Sequence, residues 1–462
     1  MEKKIAPATQ PAPADTKPAE KFPLGKFFAW KGRDVSLSGL QVIVTSYLLL
    51  FCTDVLQLSP AFVGALLMIS KFIQAVTQLF AGYIVDNTHT KLGKGRPWEF
   101  CIIGAWLCTI LLFSCPPGWS TVVKSAWIVV MYFFIFSVFN SLLFAGETPY
   151  MLRAFPSRDQ VIKVSSFGGI VTMLGAVIVS TSFPVAMGYL ATSDGGWRTL
   201  ILIYGIPLML IGVLRLIFVP EHQIELPGHE QDRVSVKDIW RMVKTNKYVW
   251  VYAGIMGMFN VIQGMNIAAQ YFKYVVGDIR LQGIMGVLSI VMLPVMFVFP
   301  KLMKKLTVAN LIQVAAVVSA VGYIILFFAG KNIPVLIFGN ILISLLVLPL
   351  SYMGNVIIMS LATYNESLGL PRMEGSTNVA VGLVNSIFNG LGTGLMGVLL
   401  SVAGYVGAKA IQPASSLLMI RSIYALIPLA ATLLIIVFAG IFSKLERKIP
   451  AIEAKLKQQA KQ

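Results

Sequence analysis

Charged residues are scarce in this chain. Only 12% of its 462 residues are Asp, Glu, Lys or Arg, whereas ordinary soluble domains carry about 25%. Hydrophobic residues make up 56%, and apolar runs long enough to span a bilayer recur along nearly the whole chain. The composition therefore excludes an ordinary soluble domain and predicts an all-α polytopic membrane protein.

Histidine and cysteine are also rare, which bears on catalysis and metal binding. The three histidines lie in loops: His89, His222 and His229. The four cysteines lie within or beside apolar runs: Cys52, Cys101, Cys108 and Cys115. They show neither metal-ligand spacing nor a disulfide framework. No nucleophile stands with a base in a pattern typical of catalysis, so we expect no enzyme, no metal and no cofactor, apart from a coupling proton.

Acidic residues are outnumbered, with 20 Asp and Glu against 37 Lys and Arg. The net charge of +17 would suit nucleic-acid binding only on a folded basic face, but these charges lie in loops and tails. The two tails and every second loop share one side of the membrane and hold 28 of the 37 basic residues. The positive-inside rule then places both termini in the cytoplasm. We expect a monomer in the lipid bilayer of the cell membrane, with no nucleic-acid partner.

Twelve apolar segments, numbered here as spans 1 to 12, fall into two series of six. The first series lies near residues 34–53, 60–85, 98–116, 122–147, 161–190 and 198–219. The second series lies near residues 248–275, 282–302, 308–329, 334–361, 376–404 and 416–442. The pattern predicts twelve transmembrane helices arranged as two six-helix bundles, 27–219 and 248–443.

Polar segments flank and join the predicted bundles. Residues 1–26 are rich in proline, alanine and lysine and lack the apolar core of a signal peptide, which predicts a disordered cytoplasmic tail. Residues 220–247 form a polar cytoplasmic linker, and residues 444–462 form a basic cytoplasmic tail. None of these segments provides the partner-binding domain that a transporter-derived sensor would need.

Span 2 carries a polar stripe at membrane depth, where each charge needs a reason because its burial is costly. Lys71, Gln74 and Gln78 recur there at spacings of three and four. The stripe either faces a solute or coupling ion, or bonds neighbouring helices without a ligand. A buried lysine without an acidic partner tends to lose its proton, and Glu147 or Asp34 is its hypothetical partner.

The first half also holds acids at membrane depth. Glu147 lies on span 4 beside a proline, which is expected to unwind or kink the helix. A carboxylate at such a kink suits a proton or a substrate hydroxyl, but it also suits a structural pair with Lys71 or Arg153. Asp34 follows Arg33 at the start of span 1, where it is either a solute contact or an interfacial cap.

The second half offers polarity without charge. Its polar side chains recur along spans 7, 10 and 11: Asn260, Gln263, Asn266 and Gln270; Asn340, Ser344, Ser351, Tyr352 and Asn355; Asn378, Asn385 and Asn389. Amides both donate and accept hydrogen bonds, which suits a polyhydroxylated or amide-bearing solute. Bonding between helices is the alternative for any single residue. Recurrence on three helices favours a polar cavity, with Asn260, Gln263 and Asn389 as its far wall.

The loop between spans 2 and 3, from Gly82 to Trp98, is short and basic. Gly82 lets two helices approach closely, and Asp86 caps or salt-bridges a helix end. An ordinary positive loop explains the lysines, but not an acid, a glycine and an Arg-Pro pair together. We interpret this segment as a cytoplasmic gating loop in which Asp86 and Arg96 act.

With these motifs the chain resembles the glycoside–pentoside–hexuronide cation symporters, the melibiose-permease-like family of the major facilitator superfamily. The resemblance begins at about residue 26 and is carried by these runs: Gly32-Arg33-Asp34, Phe51-Cys52-Thr53-Asp54-Val55-Leu56, Gly82 to Trp98, Thr148-Pro149-Tyr150, Arg372-Met373-Glu374-Gly375 and Asn385-Ser386-Ile387-Phe388-Asn389-Gly390-Leu391-Gly392. It implies a twelve-helix major-facilitator fold, a central cavity between two six-helix bundles, and alternating access by rocking.

Carried over by position, the family's cation site is altered. Its two aspartates on helix 2 fall at Gln74 and Gln78, its helix-4 acid is present as Glu147, and its helix-11 lysine falls at Gly390. Two glutamines cannot supply the negative charge that offsets dehydration of a sodium ion. We therefore expect proton coupling or uncoupled transport rather than sodium coupling.

The family's sugar-binding set is kept only in part. Its helix-1 pair is present as Arg33 and Asp34, whereas its helix-4 aromatic and helix-5 arginine fall at Met151 and Ser166. Together with Glu147 these positions would contact the solute. We expect a secondary transporter of a small polar organic solute, with a sugar or glycoside as the main interpretation. A carrier of a non-sugar metabolite and a transporter-derived sensor are the alternatives.

Overall fold

The computed structural model describes residues 23–459, with gaps at 89, 156–157, 192–194, 222–240, 242–243, 289, 291–293, 295–305, 353, 371–373 and 408. Helices dominate, and the described part of the chain contains no β-strand, only an isolated bridge between Thr90 and Gly93. The prediction of an all-α protein is confirmed.

Long helices make up the first half of the chain. They are α1 (Leu24–Leu50), α2 (Pro60–Asp86), α3 (Cys101–Leu112), α4 (Thr121–Tyr132), α5 (Ser141–Ala154), α6 (Arg158–Leu190) and α7 (Gly196–Phe218). π-Helical segments extend α1 through Phe51–Val55 and join α4 to α5 through Phe133–Asn140. A 3-10 helix, Arg96–Phe100, leads into α3.

The second half repeats the pattern with more interruptions. Its helices are α8 (Lys247–Gly264), α9 (Ala268–Gln270), α10 (Val308–Ala329), α11 (Ile333–Tyr352), α12 (Gly354–Ser367), α13 (Glu374–Val402), α14 (Ala414–Arg421), α15 (Ile427–Glu446) and α16 (Ile449–Gln459). π-Helical segments extend α9 through Tyr271–Val276 and join α14 to α15 through Ser422–Leu426. A 3-10 helix covers Ile279–Leu281.

Nine helices within the described residues are long and apolar enough to cross a membrane. They correspond to all the predicted spans except 3, 7 and 8. Span 3 is α3 with the 3-10 helix before it, and span 8 continues from the apolar helix Ile279–Leu288 into residues that the structure does not describe. Span 7, predicted as one helix over 248–275, is interrupted between α8 and α9.

Serine and threonine caps begin several of these helices. Ser59 Oγ accepts a hydrogen bond from the Phe62 N–H at 3.3 Å, with a proline at the first helical position of α2. Ser120 caps α4 in the same way, and Thr307 Oγ1 accepts from the Asn310 N–H at the start of α10. Such caps satisfy backbone N–H groups that a helix start leaves unpaired.

Helix α1 begins at Leu24, earlier than the sequence pattern indicates for span 1. Its first turns carry Phe27 and Trp30, and both side chains are buried. The Trp30 ring packs edge-on against Tyr150 and Phe155, with centroids 5.0 and 5.4 Å away. This aromatic cluster supplies the tertiary contact that extends α1 toward the N-terminus.

The predicted unwinding at Pro149 does not occur. Helix α5 continues through Pro149 to Ala154. The irregular hydrogen bonding of span 4 lies instead in the π-helical segment Phe133–Asn140, before α5 begins. Neighbouring helices are able to hold a proline inside a membrane-spanning helix when the freed backbone groups are satisfied in other ways.

Helix α13 of the second half packs against α2 of the first half and against α8 of its own half. A Cβ at Gly397 would lie 2.4 Å from the Pro60 carbonyl oxygen and 2.8 Å from the Gly64 Cα. On the other side, a Cβ at Gly392 would lie 2.3 Å from the Val261 carbonyl oxygen of α8. Small residues at helix interfaces permit this backbone approach in membrane proteins.

Candidate functional site

The interruption of span 7 places polar groups within a segment that was predicted to cross the membrane. Helical structure stops at Gly264 and resumes after residues 265–267. The Gly264 carbonyl accepts a hydrogen bond from Thr393 Oγ1 at 3.0 Å. Irregular backbone at membrane depth is tolerated where it is buried in protein or lines a cavity. Both Gln263 and Asn266, beside the break, line a central cavity.

This central cavity has a volume of about 910 Å³ and lies between the two halves of the chain. Its amide lining comes from both halves: Gln41, Gln74, Gln263, Asn266, Gln282, Asn340 and Asn389. Hydroxyl groups also line it: Ser38, Thr45, Ser46, Tyr47, Tyr132, Ser180, Tyr323, Thr393 and Tyr424. Sites for small molecules typically have about 300–1,000 Å³ and a few well-placed polar groups. The central cavity therefore accommodates a small polar solute.

Lys71 is the one charged side chain among the described residues that line the central cavity. Its ammonium lies 5.4 Å from the centroid of the Phe136 ring, a cation–π arrangement. Gly390 of α13 stands close to it, since a Cβ at that position would lie 3.1 Å from the Lys71 Cβ. In the described part of the chain, no carboxylate forms an ion pair with Lys71.

The structure brings only some of the predicted solute contacts together. Gln74, Gln263 and Asn389 line the central cavity with Lys71. Asn260 is not among the lining residues; its side-chain amide donates to Asn385 Oδ1 at 2.9 Å and to the Met256 carbonyl. The side chain of Gln78, one turn beyond Gln74, is exposed.

Three of the predicted site residues belong instead to a charge cluster buried between α1, α5, α7 and the 3-10 helix Arg96–Phe100. Its cations are Lys31, Arg33 and Arg215, and its carboxylates are Asp34, Glu99 and Glu147. The charges balance, three against three. The side chains of Arg33 and Arg215 are completely buried. In the low-dielectric interior a buried charge is stable only when it is paired with an opposite charge.

Arg33 and Arg215 bridge the carboxylates of this cluster. Arg33 Nη2 lies 2.8 Å from Glu147 and 3.0 Å from Asp34, and its Nη1 lies 3.4 Å from Glu99. Arg215 Nη1 lies 3.3 Å from Glu99, while its Nη2 lies 3.7 Å from Asp34 and 3.8 Å from Glu147. No single pair in the cluster is independent of the others.

The hypothesis that Lys71 pairs with Glu147 or Asp34 is therefore wrong. Both carboxylates are paired instead with Arg33 and Arg215 of their own bundle, at 2.8 to 3.8 Å. The suggested Arg153–Glu147 pair is not formed either; Arg153 Nε lies 3.9 Å from Glu221.

The remaining predicted solute contacts lie away from the described cavity lining. Met151 packs against the buried cluster around Trp30 and Tyr150. Ser166 falls within α6, but its side chain lies outside the described residues. The side chains of several predicted polar residues of spans 10 and 11 also lie outside: Ser351, Tyr352, Asn355 and Asn378. A role for Arg33, Asp34, Glu147, Met151 or Ser166 in solute binding stays a prediction.

The loop between α2 and α3 forms a backbone binding site for one carboxylate. The N–H groups of Lys94, Gly95 and Arg96 donate to the Glu221 carboxylate at 3.0, 3.0 and 2.8 Å. Arg96 also donates from its guanidinium to the Leu216 carbonyl at 2.8 and 3.0 Å. Successive backbone N–H groups of this kind form an anion-binding nest.

The consequence is a fixed junction between this loop and the end of α7. Asp86 ends α2, and its side chain lies outside the described residues. The role of Asp86 and Arg96 in gating stays a prediction. Glu221 falls in the predicted linker, residues 220–247, and nothing local in the sequence distinguishes a nest-bound carboxylate from a solvated one.

A second polar cluster, which the sequence pattern did not reveal, joins the two halves of the chain. The carboxylate of Asp54, after α1, forms an ion pair with Lys273 of span 7. It also accepts from Tyr274 Oη at 2.6 Å and from Tyr405 Oη at 2.9 Å. We call the region around these four residues the Asp54 end. Burial and the Asp54 charge raise the pKa of the Tyr405 phenol, so this hydroxyl donates.

The two halves of the chain pack closely at the Asp54 end. There, a Cβ at Gly407 would lie 1.9 Å from the Thr53 carbonyl oxygen. Toward the other end of the same helices, a Cβ at Gly82 of α2 or at Gly382 of α13 would meet no heavy atom within 4 Å. Helices α2 and α13 thus diverge away from the Asp54 end.

A family model described as MFS/sugar transport protein matches residues 34–447, which includes both halves of the chain. The chain belongs to this family. As an MFS/sugar transport protein it is a multi-pass membrane transporter and not an enzyme, and the expected all-α major-facilitator fold is confirmed. The symporter resemblance noted from the motifs is likewise confirmed.

Relatives of this MFS/sugar transport protein include several carriers. The isoprimeverose transporter of Lactiplantibacillus pentosus is 27% identical, over 98% of this chain and 95% of that protein. The raffinose carrier protein of Pediococcus pentosaceus is 23% identical, over 90% of this chain and 68% of that protein. The lactose permease of Leuconostoc lactis is 23% identical, but only 56% of its length is covered, against 75% of this chain.

Solved structures show the same fold at low sequence identity. A bacterial homologue of the human lysosomal transporter Spinster superposes with a TM-score of 0.65 and 14% identity, over 93% of this chain and 97% of that one. The nucleoside transporter NupG superposes with a TM-score of 0.61 and 12% identity, over 94% and 99%. At these identities the comparison supports the transporter fold alone.

Proposed function

We propose that this protein is a secondary transporter that moves a sugar or glycoside across the cell membrane by alternating access. The amide-lined central cavity between the two halves is the observation that carries the proposal. Sugar hydroxyls donate and accept hydrogen bonds, as do the primary amides that line both walls. The names of the relatives, which concern isoprimeverose, raffinose and lactose, support a carbohydrate solute.

The proposed orientation places both termini and the open end of the cavity in the cytoplasm. The charge asymmetry of tails and loops supports this orientation. The Asp54 end then faces outward and is closed by its ion pair and two phenol hydrogen bonds. The described conformation corresponds to an inward-facing state, and a single chain supplies both walls of the cavity.

The proposed driving force is a proton gradient, or the solute gradient alone, rather than sodium. Among the described residues, no carboxylate lines the central cavity, and the span-2 position Gln74 offers a neutral amide. Glu147 is the candidate proton site. Its side chain is 26% exposed, whereas Asp34 and Glu99 of the same cluster are 14% and 2% exposed. Water therefore reaches Glu147 most easily.

Solute uptake into proteoliposomes tests the proposal. Purified protein is reconstituted and presented with radiolabelled mono- and disaccharides, glycosides and non-sugar metabolites, under an imposed proton gradient, a sodium gradient or neither. We expect saturable uptake of a carbohydrate that sodium does not accelerate. Uptake of non-sugar metabolites alone would contradict the carbohydrate assignment, and sodium-driven accumulation would contradict the assigned coupling.

The variant Glu147→Gln separates the two proposed driving forces. If Glu147 carries the coupling proton, the variant should lose proton-driven accumulation while it still equilibrates the solute, because a neutral amide cannot cycle a proton. Asp278→Asn is the matched control, since this carboxylate is partly exposed and pairs with Arg280 at 2.7 Å in a loop. Unchanged accumulation in Glu147→Gln at every pH would show that the proton site lies elsewhere.

A further inference from the structure

The charge balance of the central cavity is unusual for a cavity that would hold a neutral solute. Lys71 is the one basic side chain of the described lining, which contains no Asp or Glu to balance a charge there. The other polar groups around it are neutral amides and hydroxyls. An ammonium at membrane depth is costly unless it is paired, hydrated or neutralised.

The carboxylates that the structure describes at membrane depth in the first half are engaged elsewhere. Asp34, Glu99 and Glu147 are bridged by Arg33 and Arg215 in the charge cluster. The carboxylate of the Asp54 end is likewise occupied, by a lysine and two phenols. A protein acid that is already paired in this way does not compensate Lys71. The Phe136 ring, 5.4 Å from the ammonium, gives partial compensation only.

The base of the Lys71 side chain packs closely against α13. Gly390 lies beside the lysine, and its missing Cβ would stand 3.1 Å from the Lys71 Cβ and 3.3 Å from the Met68 carbonyl oxygen. A larger residue on α13 would crowd the base of the lysine side chain. Gln74, one turn farther along α2, and Asn389 line the same cavity and supply amide N–H donors.

An ammonium with amide donors around it matches a ligand that carries one anionic group. Lysine binds oxyanions as a point charge, and amide N–H groups add directional hydrogen bonds. The remaining amides and hydroxyls of the lining match sugar hydroxyls. Resting on the function proposed above, we propose that the transported solute is an anionic carbohydrate with one carboxylate or other monoanionic group, and that Lys71 is its counter-ion.

Competition between matched glycosides tests this assignment. Methyl glucoside and methyl glucuronide have the same ring and differ only by a carboxylate in place of a hydroxymethyl group, and the galactose pair is matched in the same way. Each glycoside is added as an unlabelled competitor to proteoliposomes held at zero membrane potential. The quantity measured is the uptake of a radiolabelled solute that the protein transports in the uptake experiment above. We expect the uronide of at least one pair to compete tenfold or more better than its neutral partner. Sulfonated sugars form a second arm that distinguishes the kind of anion.

Variants at Lys71 test whether the positive charge of this residue causes the preference for the anionic glycoside. Lys71→Gln should lose the tenfold preference for the anion while it still binds the neutral glycoside, and Lys71→Arg should keep most of it. Lys331→Gln, which removes one positive charge from an exposed loop position, is the matched control and should change nothing. Folding of each variant is checked by size-exclusion chromatography in detergent.

The possible outcomes separate this inference from the proposed function. Uptake of neutral glycosides with no preference for any anionic partner would overturn the inference and leave the carbohydrate function standing. A preference that survives in Lys71→Gln would assign anion recognition to other groups and overturn the role of Lys71. Failure of every neutral and anionic carbohydrate to compete would overturn both proposals.

Discussion

Arg215 shows, at the scale of single residues, what a buried charge requires of its neighbours. Its guanidinium carbon lies 3.4 Å from the centroid of the Trp30 ring, and its Nε donates to the Trp30 carbonyl at 2.9 Å. Glu99, 3.3 Å away, supplies the opposite charge. Cation–π contact, backbone acceptor and carboxylate together replace the water that burial removes. The residue thus ties α7 to α1 and to the start of α3.

Removing this guanidinium should destabilise the first bundle strongly. Removing one partner from a buried ionic network lowers the free energy of unfolding by about 3–5 kcal/mol, because the remaining charge is left unpaired. We therefore expect Arg215→Leu to lower the thermal unfolding temperature in detergent far more than Lys331→Gln does. The double variant Arg215→Leu/Glu99→Leu should recover part of the loss. A single variant as stable as the parent protein would show that the cluster contributes no net stability.

At the scale of helices, glycines determine how the two halves meet. Helix α13 carries Gly397 against Gly64 and Pro60 of α2, at distances that no side chain would permit. Toward its other end the same helix carries Gly382, with no heavy atom near its missing Cβ. One helix therefore has a tightly packed region at the Asp54 end and an open region away from it. This asymmetry suits a helix pair that rocks about its closed end.

Substitutions at these two glycines should have opposite effects. Gly397→Val inserts atoms where the backbone of α2 already lies, and overpacking of this kind typically costs about 1–3 kcal/mol. It should also abolish uptake, because the Asp54 end cannot close. Gly382→Ala, the control on the same helix, should be neutral or should stabilise the protein by about 0.5–1 kcal/mol, because alanine restricts the unfolded chain. Unfolding and uptake of both variants are measured side by side.

At the scale of the whole molecule, polar contacts between the halves at the Asp54 end hold the described conformation. Asp54 follows α1 in the first half, whereas Lys273, Tyr274 and Tyr405 belong to the second half. A further contact between the halves joins Asn266 Nδ2 to Ser46 Oγ at 3.1 Å. In the proposed orientation, an outward-facing state requires all of these contacts to break together.

Neutralising Asp54 should therefore favour the outward-facing state. A hydrogen bond to a charged group contributes about 1.5–3 kcal/mol, and about 1.4 kcal/mol corresponds to a tenfold change in population. In a background without native cysteines, Ser46→Cys in the cavity reports access of a membrane-impermeant maleimide from the outside. We expect Asp54→Asn to raise its labelling at least tenfold, whereas Asp278→Asn should not. Equal labelling of both variants would contradict the proposed gate.

Several properties follow from the sequence because they depend on local composition. Span positions follow from hydropathy, since a segment must be apolar over about 20 residues to cross a bilayer. Charge asymmetry predicts orientation for the same local reason. The motifs around Gly82–Trp98 and Asn385–Gly392 indicated the family. The recurrence of amides on spans 7, 10 and 11 indicated a polar cavity, and Gln263, Asn340 and Asn389 line it.

Pairing and exposure were decided only by the tertiary structure. Arg33, Asp34 and Glu147 suggested solute contacts in the sequence, yet they meet Arg215 and Glu99 in one buried cluster. The sequence likewise predicted neither the interruption before α9 nor the residues that pair with Asp54. In each case the partners lie on different helices, far apart in sequence, so no local pattern records their meeting. A polar residue at membrane depth must find a partner or water, but only the packing of the helices determines which one it finds.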